Sequence, residues 1–129
     1  MNDELESLLV SGKEIDKKLV IEILSPYLKI DKETCDIRPL SAWGDVKAYV
    51  KILLYLVARK AMVALDLNLP EESASATEIM QNTGLKKGTV NPALRGFFED
   101  RVVEQTQERR YYIPNHALER VKAMITENT

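Results

Sequence analysis

The sequence has almost none of the residues from which metal sites, disulfides and catalytic triads are built. Cys35 is the only cysteine and His116 the only histidine among 129 residues. This excludes an internal disulfide, a cysteine-based zinc site and a cluster of histidines. Paired carboxylates, a glycine-rich phosphate loop and a nucleophile motif do not stand out either. We therefore expect a protein that is not an enzyme, with no catalytic residue, metal, cofactor or small-molecule ligand.

Long apolar runs and a basic N-terminus are also missing. The most apolar stretch, residues 52–65, is interrupted by Arg59 and Lys60 and is shorter than the roughly 20 apolar residues of a membrane span. The first six residues include three acidic and no basic ones, unlike a signal peptide. With 45% hydrophobic and 29% charged residues, the composition is typical of a globular domain. We expect a cytoplasmic location with no membrane contact.

The charge of the chain is weak but unevenly distributed. The formal net charge is −2. Residues 1–42 hold nine acidic and six basic side chains, whereas residues 86–129 hold six acidic and eight basic ones. If the protein binds a polyanion, we expect the C-terminal third to contact it, because local charge decides where phosphates bind.

The first 42 residues predict two helices and a β-hairpin. Leucines in helical spacing indicate a first helix over residues 3–10. Asp16 is a candidate N-cap for a second helix, which Pro26 ends. Alternating apolar residues on both sides of a polar turn predict a hairpin over residues 27–39. Cys35 stands in this turn where a positive φ, and therefore glycine, is expected.

Residues 45–67 form the strongest predicted helix, with no proline or glycine and apolar side chains on nearly every face. Such a helix is buried on all sides, so it either runs through the middle of the domain or is covered by a partner chain. Its apolar surface exceeds what 129 residues readily cover. We therefore expect a homodimer.

The C-terminal half continues with a series of short elements. Ser75 and Glu78 have the spacing of a capping box, and the helix that they begin is expected to end at Gly84. A second helix follows over residues 86–100. Two β-type runs, residues 101–106 and 110–113, predict a hairpin, and a last helix begins after Asn115.

Residues 76–94, ATEIMQNTGLKKGTVNPAL, have the pattern of a helix-turn-helix. Gly84 permits the turn, Leu85 fills it, and apolar residues anchor the second helix. With the hairpin and last helix, residues 45–126 resemble the winged helix-turn-helix family, especially small archaeal regulators. The resemblance implies a mainly α fold with a small β part, in which an extension (residues 1–42) precedes the winged domain (residues 43–129). It also implies a homodimer that regulates transcription by binding double-stranded DNA.

In that family the helix after the turn enters the DNA major groove and the hairpin, or wing, contacts the backbone. Carried over to this chain, the inserted helix is 87–100 and the wing is 102–113. Asn91 would contact adenine, and Arg95 would contact guanine or a phosphate. The candidate DNA-binding residues are Lys86, Lys87, Thr89, Asn91, Arg95, Arg109 and Arg110.

Three residues of the second helix depart from the family pattern. Pro92 lacks an amide hydrogen and is expected to shorten or bend the helix, which would make Asn91 an N-cap instead of a base reader. Gly88 and Gly96 leave few side chains able to specify a base. These departures, together with the acidic net charge, keep an alternative open: a winged-helix module that binds protein and not specific DNA.

Overall fold

The computed structural model describes residues 15–67, 69 and 71–127. The helix expected over residues 3–10 lies outside this part of the chain. The structure is mainly α with two small antiparallel hairpins, as predicted. Its elements are α1 (Lys17–Leu24), β1 (Leu28–Ile30), β2 (Ile37–Pro39), α2 (Ala48–Ala64), α3 (Ala76–Thr83), α4 (Lys87–Glu99), β3 (Glu104–Gln105), β4 (Tyr111–Tyr112) and α5 (Leu118–Glu127). None of these helices is both long and apolar enough to cross a bilayer.

The second predicted helix and the N-terminal hairpin are present. Asp16 caps α1 by accepting a hydrogen bond from the amide of Leu19 at 3.1 Å. β1 and β2 pair antiparallel, and Asp31 in their turn pairs with Arg38. Cys35 has φ 61°. The expectation of a positive φ at this position was therefore right, although a cysteine adopts it.

Helix α2 runs through the middle of the molecule. Every residue from Ile52 to Lys60 is buried, because α1, α3, α4 and α5 pack around it. Over this span the helix is covered by its own chain, so its apolar surface no longer requires a partner. Past this span, the large apolar side chains of Val63 and Leu65 are exposed. The homodimer stays a prediction.

Helices α3 and α4 pack on each other and are joined by a short turn. The capping box that begins α3 is formed: Ser75 Oγ accepts from the amide of Glu78 at 3.1 Å. Gly84 ends α3 with φ 76°. Pro92 does not shorten α4, which continues to Glu99. The hydrogen bond that Pro92 cannot donate would reach Gly88, which is exposed in the first turn and accessible to water.

The C-terminal hairpin (residues 104–112) is shorter than predicted. Its ladder consists of the pairs Glu104–Tyr112 and Gln105–Tyr111. The strand begins late because Arg101 has φ 61° after α4 and the next two residues enter the core. On the other side of β4, Ala74 and Tyr111 exchange two backbone hydrogen bonds of 2.9 and 2.7 Å. This bridge attaches the hairpin to the chain that precedes α3.

Candidate nucleic-acid interface

Helix α4 buries one face in the core and exposes the opposite face to solvent. Val90, Leu94 and Phe97 enter the core, and the helical period places another set of residues toward solvent. Lys87 and Thr89 are exposed in the first turn, and Lys86 is exposed at the N-cap position. Free backbone amides and the positive end of the helix dipole lie at this terminus. Together with the two lysines they form a suitable site for a phosphate.

Asn91 is the fifth residue of α4, whose N-cap is Lys86. A cap role for Asn91 is therefore excluded. Its side chain is half-buried, whereas that of Arg95, one turn later, is exposed. Asn91 retains the amide group that could pair with an adenine edge.

Asn91 and Arg95 line an open groove of about 350 Å³ between α4 and the C-terminal hairpin. The buried Leu94 lies in this groove, and Phe98 is 50% exposed there. From the hairpin side, Gln105 Nε2 donates a hydrogen bond to Tyr111 Oη at 3.2 Å. The groove thus combines an apolar part with polar groups that can donate and accept hydrogen bonds.

Arg109 lies in the turn of the C-terminal hairpin and is exposed. Its φ is 61°, a left-handed conformation that a residue with a Cβ adopts at a cost of roughly 1–2 kcal/mol. Lys86, Lys87, Arg95 and Arg109 form no ion pair with any carboxylate in the described ranges. These four cations are available to a phosphate backbone.

Arg110 differs from the other predicted contacts because its half-buried guanidinium is already paired with groups of the protein. Nη1 lies 2.6 Å from Glu78 Oε1, Nε lies 2.7 Å from Glu71 Oε1, and Nη2 donates to the carbonyl of Ser73 at 2.7 Å. The hydrogen bond with Glu78 is the main reason why the pKa of Arg110 lies above its usual value. Arg110 is therefore engaged within the protein, unlike the other six candidate DNA-binding residues, which lie on or beside α4 and at the hairpin turn.

Arg59 is a second cation of this region, and sequence reasoning missed its role. It is 5% exposed on α2 and donates to the backbone carbonyls of residues 71, 72 and 73 at 2.8–3.2 Å. Arg59 Nη1 also lies 3.4 Å from Glu78 Oε2. The available signal was a basic pair interrupting an apolar helix, which we used only to exclude a membrane span.

Glu78 connects Arg59 and Arg110, and we refer to the three residues as the Arg59–Glu78–Arg110 cluster. Burial alone would raise the pKa of Glu78. Hydrogen bonds from Arg110 and the amide of Ser75, with the charges of both arginines, outweigh that effect and hold the pKa below its usual value. The Glu78 carboxylate therefore has two roles: it accepts a hydrogen bond from the amide of Ser75 in the capping box, and it pairs with Arg110 of the hairpin.

Acidic residues limit the positive surface. Glu99 and Asp100 are exposed at the C-terminal end of α4, and Glu108 precedes Arg109. On the hairpin, Glu104 Oε2 accepts a hydrogen bond from Tyr112 Oη at 2.6 Å, which raises the pKa of Tyr112. The positive end of the surface is thus the N-terminus of α4. Within the described ranges, no group of three or more acidic, cysteine or histidine side chains is placed to hold a metal ion.

Comparison of the chain with family models, with curated proteins and with solved structures gave no match. A functional assignment therefore depends on the geometry of this surface.

Proposed function

We propose that this protein binds double-stranded DNA as a winged helix-turn-helix transcription regulator acting in the cytoplasm. The observation that carries the proposal is a group of exposed cations that pair with no carboxylate among residues 15–67, 69 and 71–127: Lys86, Lys87, Arg95 and Arg109. They begin at the N-terminus of α4 and continue to the turn of the adjacent hairpin. This distribution suits a helix in a groove and a wing on the neighbouring backbone.

In the proposed complex, α4 enters the major groove and each candidate residue has a distinct task. Lys86, Lys87 and Thr89 bind phosphate at the helix N-terminus, aided by free amides. Asn91 contacts a base edge, and Arg95 contacts a base or a phosphate. Arg109 binds the backbone from the hairpin. Few of these contacts specify a base, so a large share of the affinity comes from counterion release.

The proposal is tested by measuring duplex binding as a function of salt concentration. Arg109→Ala should weaken binding to all sequences alike and lower the slope of log K against log salt by about one. Lys32→Ala is the matched control, because Lys32 is an exposed cation in the N-terminal hairpin. Failure of the folded protein to retain any duplex at low salt would contradict the proposal.

A homodimer is the assembly we propose for this function, because two-fold symmetry matches palindromic sites. Ile21 and Leu65, 62% and 63% accessible, are the most exposed large apolar side chains of the described residues and are available for such a contact. Light scattering at micromolar concentration checks this. A mass corresponding to one chain would contradict the dimer without affecting DNA binding.

The second candidate function is a protein-binding module that uses the same surface. The half-exposed Phe98, beside Leu94 and Tyr111 in the groove, favours it, because aromatic side chains in apolar pockets are common anchors of interfaces. Under this alternative, Phe98→Ser would abolish partner binding. Arg109→Ala would then have no effect on any duplex interaction.

A further inference from the structure

The C-terminal hairpin has too few hydrogen bonds to determine its own position. Its ladder has two residue pairs, and one bridge joins Tyr111 to Ala74. An isolated two-stranded hairpin is marginally stable in water. Its orientation relative to α4 must therefore depend on side chains that connect it to the rest of the protein.

Arg110 supplies the charged part of these connections, beside the buried Val103 and Ile113 at the two ends of the hairpin. It is a hairpin residue, but its guanidinium contacts α3 through Glu78 and the preceding loop through Glu71 and Ser73. Arg59 on the central helix donates to the same Ser73 carbonyl at 2.8 Å and approaches the second oxygen of Glu78. Glu78 thus joins the hairpin to α3, and it lies beside the most deeply buried helix of the protein.

We propose that Glu78 and Arg110 are positioning residues that hold the C-terminal hairpin at the distance from α4 at which Arg109 reaches DNA. The inference rests on the proposed DNA binding and extends it. Arg109 directly precedes Arg110, so any displacement of the Arg110 guanidinium moves the neighbouring backbone. Without the Glu78 carboxylate, the Arg59 and Arg110 guanidinium groups repel each other, and the hairpin leaves its position.

The direction in which Glu78→Gln changes duplex affinity distinguishes a positioning role from a simple effect of charge. Glu78→Gln removes a negative charge, and by charge alone it would strengthen binding to a polyanion. It would also free the Arg110 guanidinium from the Glu78 carboxylate, so that Arg110 could contact a phosphate directly. Positioning predicts the opposite result: duplex affinity falls roughly three- to tenfold near 0.1 M salt and the salt slope drops by about one, as for one lost phosphate contact.

The experiment is a double-mutant cycle with Glu78→Gln and Arg109→Ala. If Glu78 acts through the hairpin, the double variant binds like either single variant, since both lose the same contact. Glu72→Gln is the matched control. Glu72 also pairs with a buried cation, Lys60 at 2.7 Å, but its carboxylate does not bond to Arg110. It should leave the salt slope unchanged.

Amide hydrogen exchange provides a measurement that does not use DNA. Exchange at Tyr111, whose amide donates to Ala74, should become faster in Glu78→Gln and stay the same in Glu72→Gln. If Glu78→Gln fails to fold, Arg110→Lys replaces it in the cycle. Lysine keeps the charge but loses the planar fork that reaches several acceptors, and the capping box stays intact.

The outcomes separate the two proposals. Absence of duplex binding by the unchanged protein defeats the proposed function and this inference with it. Duplex binding with additive effects in the cycle, an unchanged or increased affinity for Glu78→Gln, or unchanged exchange at Tyr111 defeats the inference alone. Non-additive loss of affinity together with faster exchange supports it.

Discussion

Lys122 Nζ lies 2.7 Å from Glu22 Oε2 and joins α5 to α1 across 100 residues of sequence. The hydrogen bond from Lys122 is the main reason why the pKa of Glu22 lies below its usual value. Beneath this surface pair, side chains of α1, α2 and α5 belong to one hydrophobic core. The N-terminal residues from Ile15 onward therefore pack against the same central helix as the C-terminal elements.

The shared core predicts that a substitution in α1 destabilises the whole protein. Ile23 is 2% exposed, and Ile23→Ala should lower the free energy of unfolding by about 2–4 kcal/mol in a single cooperative transition. Ile21→Ala is the control, because Ile21 is 62% exposed and should change stability by roughly 0.5 kcal/mol or less. Chemical denaturation measures both. Two separate transitions would show that the extension folds independently.

The turn between α3 and α4 depends on the backbone conformation of Gly84. A Cβ at this position would meet no atom within 4 Å, so only its φ of 76° is unfavourable for other residues. Gly84→Val should therefore lower the free energy of unfolding by ~1–2 kcal/mol. Gly96 also has open space around it but is helical, and Gly96→Ala should stabilise by ~0.5–1 kcal/mol. Equal melting temperatures for the two variants would contradict this reasoning.

We expect the substitution Arg109→Gly to have opposite effects on stability and on DNA binding. Glycine adopts φ 61° without strain, so Arg109→Gly should raise the free energy of unfolding by up to about 1 kcal/mol. The same substitution removes a proposed phosphate contact and should weaken duplex binding. Cys35→Gly is the control, because Cys35 also has φ 61° and lies in the N-terminal hairpin. Cys35→Gly should stabilise the fold and leave duplex binding unchanged. If Cys35→Gly weakened binding as much as Arg109→Gly does, the effect of Arg109→Gly would not indicate a DNA contact by Arg109.

Because the pKa of Asp31 is lowered in the folded protein, we expect the protein to lose stability in acid. Hydrogen bonds from Arg38 and from the amides of Glu33 and Thr34 lower the pKa of Asp31 to about 2. Because this pKa is lower in the folded state, the unfolded state binds more protons, and stability falls as the pH is reduced. The contribution is complete above about pH 4 and is lost as the pH falls toward 2.

Asp31→Asn tests this contribution. The stability difference between the original protein and Asp31→Asn, measured by denaturation at several pH values, should shrink between about pH 4 and pH 2. The Arg38 side chain remains in place in this comparison. A difference that is constant over this range would show that the ionised form of Asp31 is not favoured by folding.

The local elements could be predicted from the sequence because their signals act over a few residues. Ser75 and Glu78 form their capping box over three positions, and Gly84 ends the helix by its own backbone freedom. A hairpin turn of this kind commonly needs a positive φ, and Cys35 adopts it. Pro92 shows the limit of such rules: it was expected to shorten or bend α4, yet the helix continues to Glu99, because the carbonyl that loses its donor belongs to the exposed Gly88.

The sequence by itself determined which segments become helices and hairpins, since capping, turn conformation and apolar periodicity are local. Only the tertiary structure decided which cations are free for a partner. Arg109 and Arg110 are adjacent, and composition does not distinguish them. Arg110 meets Glu78 and Ser73, 32 and 37 residues away, because the loop before α3 folds against α2. Arg109 has no such neighbour within the described chain, since its left-handed backbone lies in the turn.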